Sequence, residues 1–504
     1  MRVLQIGRDD WSALCRLPDG LEWVFVDVDD PVGFDRDLIG RVEVTVLDAR
    51  CDPERLAAVD TLVTPYALLV DRALAAEGGE FLARKAAVPV DTADRQRLID
   101  GLPQRFFARQ FGQKLELRSA TVAPAHRAAT SYEGNAALVT SVDHDDEPRQ
   151  LMMWKENILY ENHRALDLWP EYVKDPGVQV ELVVQLIQTG TPDVIADQRR
   201  YTEADLAEPV VFSHPTSGYL SVSFYARGHG RVRIGPLHYR HSRLGAGHFL
   251  PGGRRIADSR REELFWYFHP GDLTPPLNIY FAGYRPAEGF EGYYMMARLG
   301  HPFLLVTDPR LEGGRFYLGS EELEDALRGV IADRIAELGF TDRDVIFSGL
   351  SMGSFGALYY GSQFEPLAII AGKPIIDLGR VARRGRLVRP RDFRTVLDLV
   401  NFWDRGDSGR GLAGVDAFTE QLTTRWNGDP GFGDTSILMA YMAQDDYDDE
   451  AYYTLLASQT GKPTTVIARG YQGRHNDDSA SIVNWFVTQY QRVIAEYRRS
   501  RDGR

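Results

Sequence analysis

Asp344-Val-Ile-Phe-Ser-Gly-Leu-Ser-Met-Gly-Ser-Phe-Gly-Ala-Leu-Tyr-Tyr, ending at Tyr360, decides how the rest of the chain is read. It holds a G-x-S-x-G pentapeptide, Gly349 to Gly353, centred on Ser351. Val345-Ile346-Phe347 is a short apolar, β-rich run, and Phe355 to Tyr360 reads as the apolar start of a helix. A strand, a Gly-flanked serine and a helix make the strained turn that exposes a hydroxyl nucleophile. Glycine is needed on either side because Cβ atoms would clash with the flanking elements in so tight a turn. The following helix aims its N-terminal N–H groups and partial positive charge at the place where an oxyanion would form. A bare G-x-S-x-G is common by chance; the flanking strand and helix favour a nucleophile over a structural turn.

Outward from this turn, strand and helix alternate. Asn278-Ile-Tyr-Phe-Ala-Gly and Phe303-Leu-Leu-Val-Thr read as strands before it. Ser320 can cap a helix with apolar Leu323, Leu327, Val330, Ile331, Ile335 and Leu338 at helical spacing, Glu321 and Glu322 at its N-terminus and Gly339 after its end. Leu367–Ala371, Ser436–Ala443 and Thr464–Ala468 follow as strands, and Ile482 to Tyr497 as a closing amphipathic helix. This is the α/β-hydrolase order, in which the partners of the serine follow as Asp or Glu and then His. A serine hydroxyl needs a base within hydrogen-bond reach. Beyond His301 the sequence has one histidine, His475, in the loop between the last strand and the last helix. The acid should follow the strand Ser436–Ala443, where Asp445, Asp446, Asp448 and Asp449 cluster. Proximity to the strand end favours Asp445, with Asp446 beside it; the others read as a solvated loop or a helix N-terminal cluster. Oxyanion donors are expected from the N–H of Met352 and from the turn at Gly283 and Tyr284. An insertion over 373–434 reads as a cap carrying Arg383, Arg384, Arg386, Arg389, Arg391 and Arg394, either a solvated face or a site for phosphates or an acidic partner.

Residues 1–105 alternate Val3–Ile6, Trp23–Val28, Val42–Leu47 and Thr61–Leu62 as strands with Ala67–Ala76 and Arg95–Leu102 as helices. That pattern predicts a small Rossmann-like α/β domain. Gly7 follows the first strand, but the rest of G-x-G-x-x-G is missing, so it reads as a turn glycine. Residues 106–270 change to period-two runs between Gly, Pro and Asp turns, such as Val178-Gln-Val-Glu-Leu-Val-Val-Gln-Leu-Ile and Tyr219-Leu-Ser-Val-Ser-Phe-Tyr-Ala. This predicts an antiparallel β-sandwich. Gly218–Ser242, with a turn expected at Gly228-His229-Gly230, is similar to the last strands of carbohydrate-binding jelly rolls. Tyr225, Tyr239 and Trp266 could stack on sugars or pack internally. His238 and His241, three apart on a strand, face opposite sides and predict no metal pair. The α/β-hydrolase domain then occupies 271–504.

Composition narrows the function. At 504 residues the chain should hold two or three domains. A net charge of -14 argues against a general binder of nucleic acid or anionic membrane. Cys15 and Cys51 are too few for a disulfide framework, so a reducing compartment is expected. The start reads as a strand rather than a signal peptide, and no run approaches the roughly 18 apolar residues of a membrane span. A cytoplasmic location is the expectation.

Further motifs carry a family resemblance. Leu4-Gln-Ile-Gly-x-x-Asp-Trp, Asp308-Pro-Arg-Leu-Glu-Gly-Gly-Arg-Phe-Tyr-Leu-Gly, the Gly349 to Gly361 segment, Tyr441-Met-x-x-Asp-Asp-Tyr-Asp, Gly473-Arg-His-Asn-Asp and Val483-Asn-Trp-Phe resemble the accessory Sec system protein two family. The resemblance implies a cytoplasmic O-acetyltransferase acting on N-acetylglucosamine of serine-rich repeat glycoprotein adhesins. It also implies support for their export with sister accessory Sec proteins and the accessory Sec motor. It places the nucleophile on Ser351, the base on His475 and the acid in the Asp445-Asp446 pair. No bound cofactor is implied; an acetyl donor such as acetyl-CoA would be a substrate. The residues alone give serine acyl chemistry, which also suits a cytoplasmic esterase or deacetylase, and a non-catalytic export scaffold with the hydrolase shape is a third reading.

Overall fold

The computed structural model describes the chain except residues 31, 192–193, 312–313, 389–394, 400–418, 421, 425, 427–430 and 503–504, and the side chains of 386 and 502. Its strands form three sheets.

The first is a five-stranded parallel sheet in the order Glu22–Asp27, Arg2–Gly7, Val44–Leu47, Leu68–Asp71, Val88–Val90. Two expectations fail here. Thr61–Leu62 lies in a turn, and Ala67–Ala76 is a strand, Leu68–Asp71, followed by a single helical turn, Arg72–Ala75. Leu68-Leu69-Val70 is fully buried, and a buried parallel strand shows a continuous apolar run that cannot be told from a helix by period.

The second sheet has ten antiparallel strands built around the 24-residue strand Gly218–His241. That strand pairs with Val178–Gln188, Leu166–Lys174, Ala137–Trp154, Gly112–Leu115 and Ile158–Tyr160. The turn expected at Gly228-His229-Gly230 is absent. The strand runs through, with positive φ at Gly228 and Gly230 and shifts in register against its neighbour on either side of Ala226. The two glycines absorb a bulge rather than a reversal.

The third sheet has eight strands in the order Arg254–Ala257, Glu263–His269, Phe303–Thr307, Leu277–Phe281, Val345–Leu350, Ala368–Gly372, Ser436–Met442, Thr465–Tyr471. In chain order this is 1-2-4-3-5-6-7-8, antiparallel at its first two pairings and parallel thereafter. The hairpin Arg254–His269, expected in the sandwich, therefore belongs to this sheet, and Trp266 with it. A local antiparallel hairpin looks alike in either setting. Alternate residues of the central strands face two separate cores. Ile279, Phe281, Phe347 and Ile369 meet Leu323, Leu327, Phe355 and Leu358; Tyr280, Ile346, Ile370 and Leu438 meet Ile482, Phe486 and Tyr490.

The helix Glu321–Glu337 starts where expected: the Ser320 hydroxyl accepts from Leu323 N–H at 3.2 Å, and Gly339 follows at φ 68°. Helices Met352–Gly361 and Ser479–Asp502 cover opposite faces of the sheet and bring the ends of three strands to one site.

Candidate functional site

Ser351 terminates the strand Val345–Leu350 at φ 55°, ψ -122°, and the helix Met352–Gly361 begins at the next residue. Gly349 and Gly353 permit this turn. A Cβ on Gly349 would overlap the Gly353 carbonyl, and one on Gly353 would overlap the Phe281 carbonyl. The Ser351 N–H is held by Gly372 O at 2.8 Å. With its backbone fixed on both sides, the serine presents Oγ beyond the sheet.

His475 meets it from the loop after the last strand. Its Nε2 lies 2.8 Å from Ser351 Oγ, and its Nδ1 lies 2.8 Å from Asp445 Oδ2. Both partners of that second contact are buried. Of the two adjacent carboxylates, Asp445 faces the imidazole. Asp446 Oδ1 instead accepts the backbone N–H of His475 at 3.1 Å and holds the loop. Asp445 Oδ1 accepts N–H bonds from Tyr447 at 2.8 Å and Asp448 at 3.2 Å, which fixes the carboxylate plane. The Tyr447 ring packs against the imidazole with centroids 4.6 Å apart.

Met352 opens its helix directly after Ser351, so its N–H has no intrahelical acceptor. The Gly283 turn lies against the end of the nucleophile strand, a Cβ there standing 3.1 Å from Leu350 O. Its N–H donates to Glu291 Oε2 at 2.8 Å, an engagement the sequence reading did not anticipate. Tyr284 follows it, exposed at the rim.

Three supports around the site escaped the sequence reading. Asp448, one of four aspartates in an acidic stretch, is buried, and its Oδ2 accepts from Ile376 N–H and Asp377 N–H at 2.8 Å each. Burial pushes its carboxyl up to about 6, with Asp377 adding to the rise against the opposing Ile376 and Asp377 amides and Arg380. The first helix of the insertion, Leu378–Val388, clamps the same loop: Arg384 donates to Asp445 O at 3.1 Å and pairs with Asp449 at 2.7 Å, and Arg380 bridges Asp449 and Glu450. Arg384 is therefore an internal clamp. Arg389, Arg391 and Arg394 lie outside the described residues, as does the side chain of Arg386. Third, the Asp308–Gly319 segment folds on a buried ion cluster in which Asp308 and Glu262 together hold Arg310, and Glu262 also pairs with Arg315. Gly314 packs on Met352 and Phe316 on Phe355, so this cluster braces the nucleophile helix. An Asp-Pro-Arg string gives no sign of which carboxylate will face it.

His238 and His241 form no metal pair. His238 lies between Glu288 and Glu171, at 2.6 and 2.9 Å, while His241 stacks on Phe111 with centroids 4.4 Å apart. Among the described residues no cluster suits a metal. Tyr225 lies beneath Arg200 and Tyr239 beside Phe111, both half-buried.

The strand order and the hydrogen-bonded Ser351–His475–Asp445 chain define an α/β-hydrolase-type protein. The chain belongs to the accessory Sec system GspB-transporter family, which it matches over residues 1–499. It is 38% identical over 509 residues to accessory Sec system protein two of Staphylococcus aureus, covering 98% of this chain and 97% of that one. It is 34% identical over 504 residues to its counterpart in Streptococcus gordonii, covering 98% of each. A chain of the glycosylation associate protein (Gap123) complex from Streptococcus agalactiae superposes with a TM-score of 0.88 at 33% identity, covering 98% of each. No helix of the described residues is long and apolar enough to cross a membrane.

Proposed function

We propose that the protein is a serine O-acetyltransferase that acetylates N-acetylglucosamine on serine-rich repeat adhesins in the cytoplasm and supports their export with sister accessory Sec proteins and the accessory Sec motor. The observation that carries the chemistry is the unbroken relay from Ser351 Oγ through His475 to Asp445, 2.8 Å at each step. His475 Nε2 takes the hydroxyl proton as Ser351 Oγ bonds to the acyl carbon of a donor such as acetyl-CoA. Asp445 holds the Nδ1 proton and stabilises the imidazolium. The N–H of Met352, with a second donor from Tyr284 in the turn whose Gly283 N–H is held by Glu291, stabilises the oxyanion. The tetrahedral adduct collapses, the thiolate leaves with the proton from His475, and an acyl-serine remains. A sugar hydroxyl then gives its proton to His475, attacks the acyl carbon and regenerates Ser351. Family membership and the similarity to a glycosylation-associated complex support the sugar acceptor and the accessory partners.

The same relay serves an esterase when water replaces the sugar. Incubating the purified chain with acetyl-CoA and a serine-rich peptide bearing N-acetylglucosamine separates the two. Acetylated glycopeptide in the mass spectrum, absent with Ser351→Ala, is the expected result. Free acetate alone would favour the esterase, and full transfer by Ser351→Ala would overturn both.

A further inference from the structure

A cleft of about 850 Å³ lies between the five-stranded sheet and the hydrolase sheet, away from Ser351. It is within the range of small-molecule sites, roughly 300–1,000 Å³. Two guanidiniums, Arg36 and Arg41, and two carboxylates, Asp37 and Glu43, line one wall; Tyr293 and Tyr294 stand on the other. The opposed charges balance, which disfavours a strongly anionic or cationic occupant and supplies donors and acceptors together. Among the described residues no side chain partners Arg41 or Asp37, and Arg36 makes one long bond, 3.3 Å, to Thr61. Tyr294 is 72% exposed, an unusual state for a large ring. Its inner side packs on Tyr293, which packs in turn on buried Tyr267. A rigid aromatic platform facing a neutral array of donors and acceptors suits a ligand with apolar ring faces and hydroxyl edges.

We infer that this cleft binds a saccharide, as a neutral polyhydroxylated chain stacked on Tyr294 and hydrogen-bonded to Arg41, Asp37 and Glu43. One loop links it to the elbow. Residues 284–292 begin at Gly283, beside Leu350, and end at Tyr293 on the cleft wall. Gln110 pins the loop, donating to Phe290 O at 3.1 Å and accepting from Phe290 N–H at 2.7 Å. A glycan seated in the cleft thus borders the loop that leads to Ser351. Its role as acceptor rests on the acyl-transfer reading; its binding does not.

The test is calorimetry on the full chain carrying Ser351→Ala, which binds without turnover. The probe is a serine-rich peptide bearing N-acetylglucosamine, with the bare peptide as control. The glycopeptide should bind and the bare peptide should not. Adding Tyr294→Ala and Arg41→Ala should weaken the glycopeptide about tenfold or more, whereas Tyr294→Phe should keep its affinity. Equal affinity with and without the two alanines, or no glycopeptide binding at all, would overturn the cleft. So would loss of CoA binding in the alanine variant with glycopeptide binding intact, which would assign the cleft to the anionic donor. Acetyl transfer by the unmodified chain is measured separately. Transfer with unchanged affinities sinks the cleft alone, and sugar-dependent binding without transfer sinks the acyl-transfer reading alone.

Discussion

Ser351 is held at a positive φ that costs a non-glycine residue roughly 1–3 kcal/mol, and the surrounding carbonyls and glycines enforce it. Asp445 and Asp446 offer a sharp comparison, because adjacent carboxylates do different work. Asp445→Asn should cut kcat by about 10⁴-fold, since the amide favours the wrong imidazole tautomer. Asp446→Asn keeps an oxygen to accept the His475 backbone N–H and should retain activity within about tenfold. Steady-state rates of acetyl transfer decide between them, and equal losses would reverse the assignment of the acid. His475 was legible in the sequence because no other histidine follows His301. The choice between Asp445 and Asp446 was not, since both stand just past a strand end and only the turn geometry aims one inward. Nor could the sequence show that Glu291, eight residues on, would occupy the Gly283 N–H.

Among the elements, the helix Leu378–Val388 matters most for the site, because Arg384 ties it to the carbonyl of Asp445. Arg384→Ala should lower kcat between about ten- and a hundredfold through misplacement of Asp445, with little change in melting temperature. An unchanged kcat would show that the loop holds its shape unaided. Asp448 gives the same region a pH signature. Its folded-state value of about 6 lies above the ordinary 3.8, so the folded chain keeps a proton that the unfolded chain releases. The resulting stability is present below about pH 4 and is lost as pH rises through 6, on the order of 2–3 kcal/mol. Denaturant midpoints of Asp448→Asn should lack this fall between pH 4 and 6. The arginine-rich stretch could be seen as a cluster in the sequence. That Arg384 turns inward could not, because the Asp445 carbonyl and Asp449 carboxylate that receive it are some sixty residues away.

At the scale of the molecule, the seam between the sandwich and the hydrolase sheet is ionic. His238 and Arg240, near the end of the long strand, meet Glu263 of the third sheet and Glu288 of the loop after its strand Leu277–Phe281, and Arg255 also pairs with Glu263. Burial alone would lower the His238 value, but the Glu288 charge and the hydrogen bonds the ring donates to Glu171 and Glu288 raise it to about 9. Its contribution is complete below about pH 6.5 and lost as pH rises through 9. Burial would raise Glu263, and Arg240, Arg255 and His238 outweigh it to about 2, so its contribution is lost as pH falls through that value. His238→Ala leaves Glu171 and Glu288 facing each other in a dry seam and should cost about 3–5 kcal/mol in chemical denaturation. A loss below about 1 kcal/mol would mean water enters the seam. The hydrolase order was legible from alternating strands and helices. The seam was not: its paired acids and bases are up to 67 residues apart, and the hairpin Arg254–His269 carries the same period on either side of it.

The long strand that ends at this seam leaves neither half electrically whole. Glu263 and Glu288 belong to one side, His238 and Arg240 to the other, and cutting the chain near 245 would leave Glu288 without these two cations and Glu263 with Arg255 alone. A lineage that exchanged the sandwich for another module would inherit that imbalance at once. The boundary is therefore a poor place for recombination, and the two parts should descend together as one heritable unit.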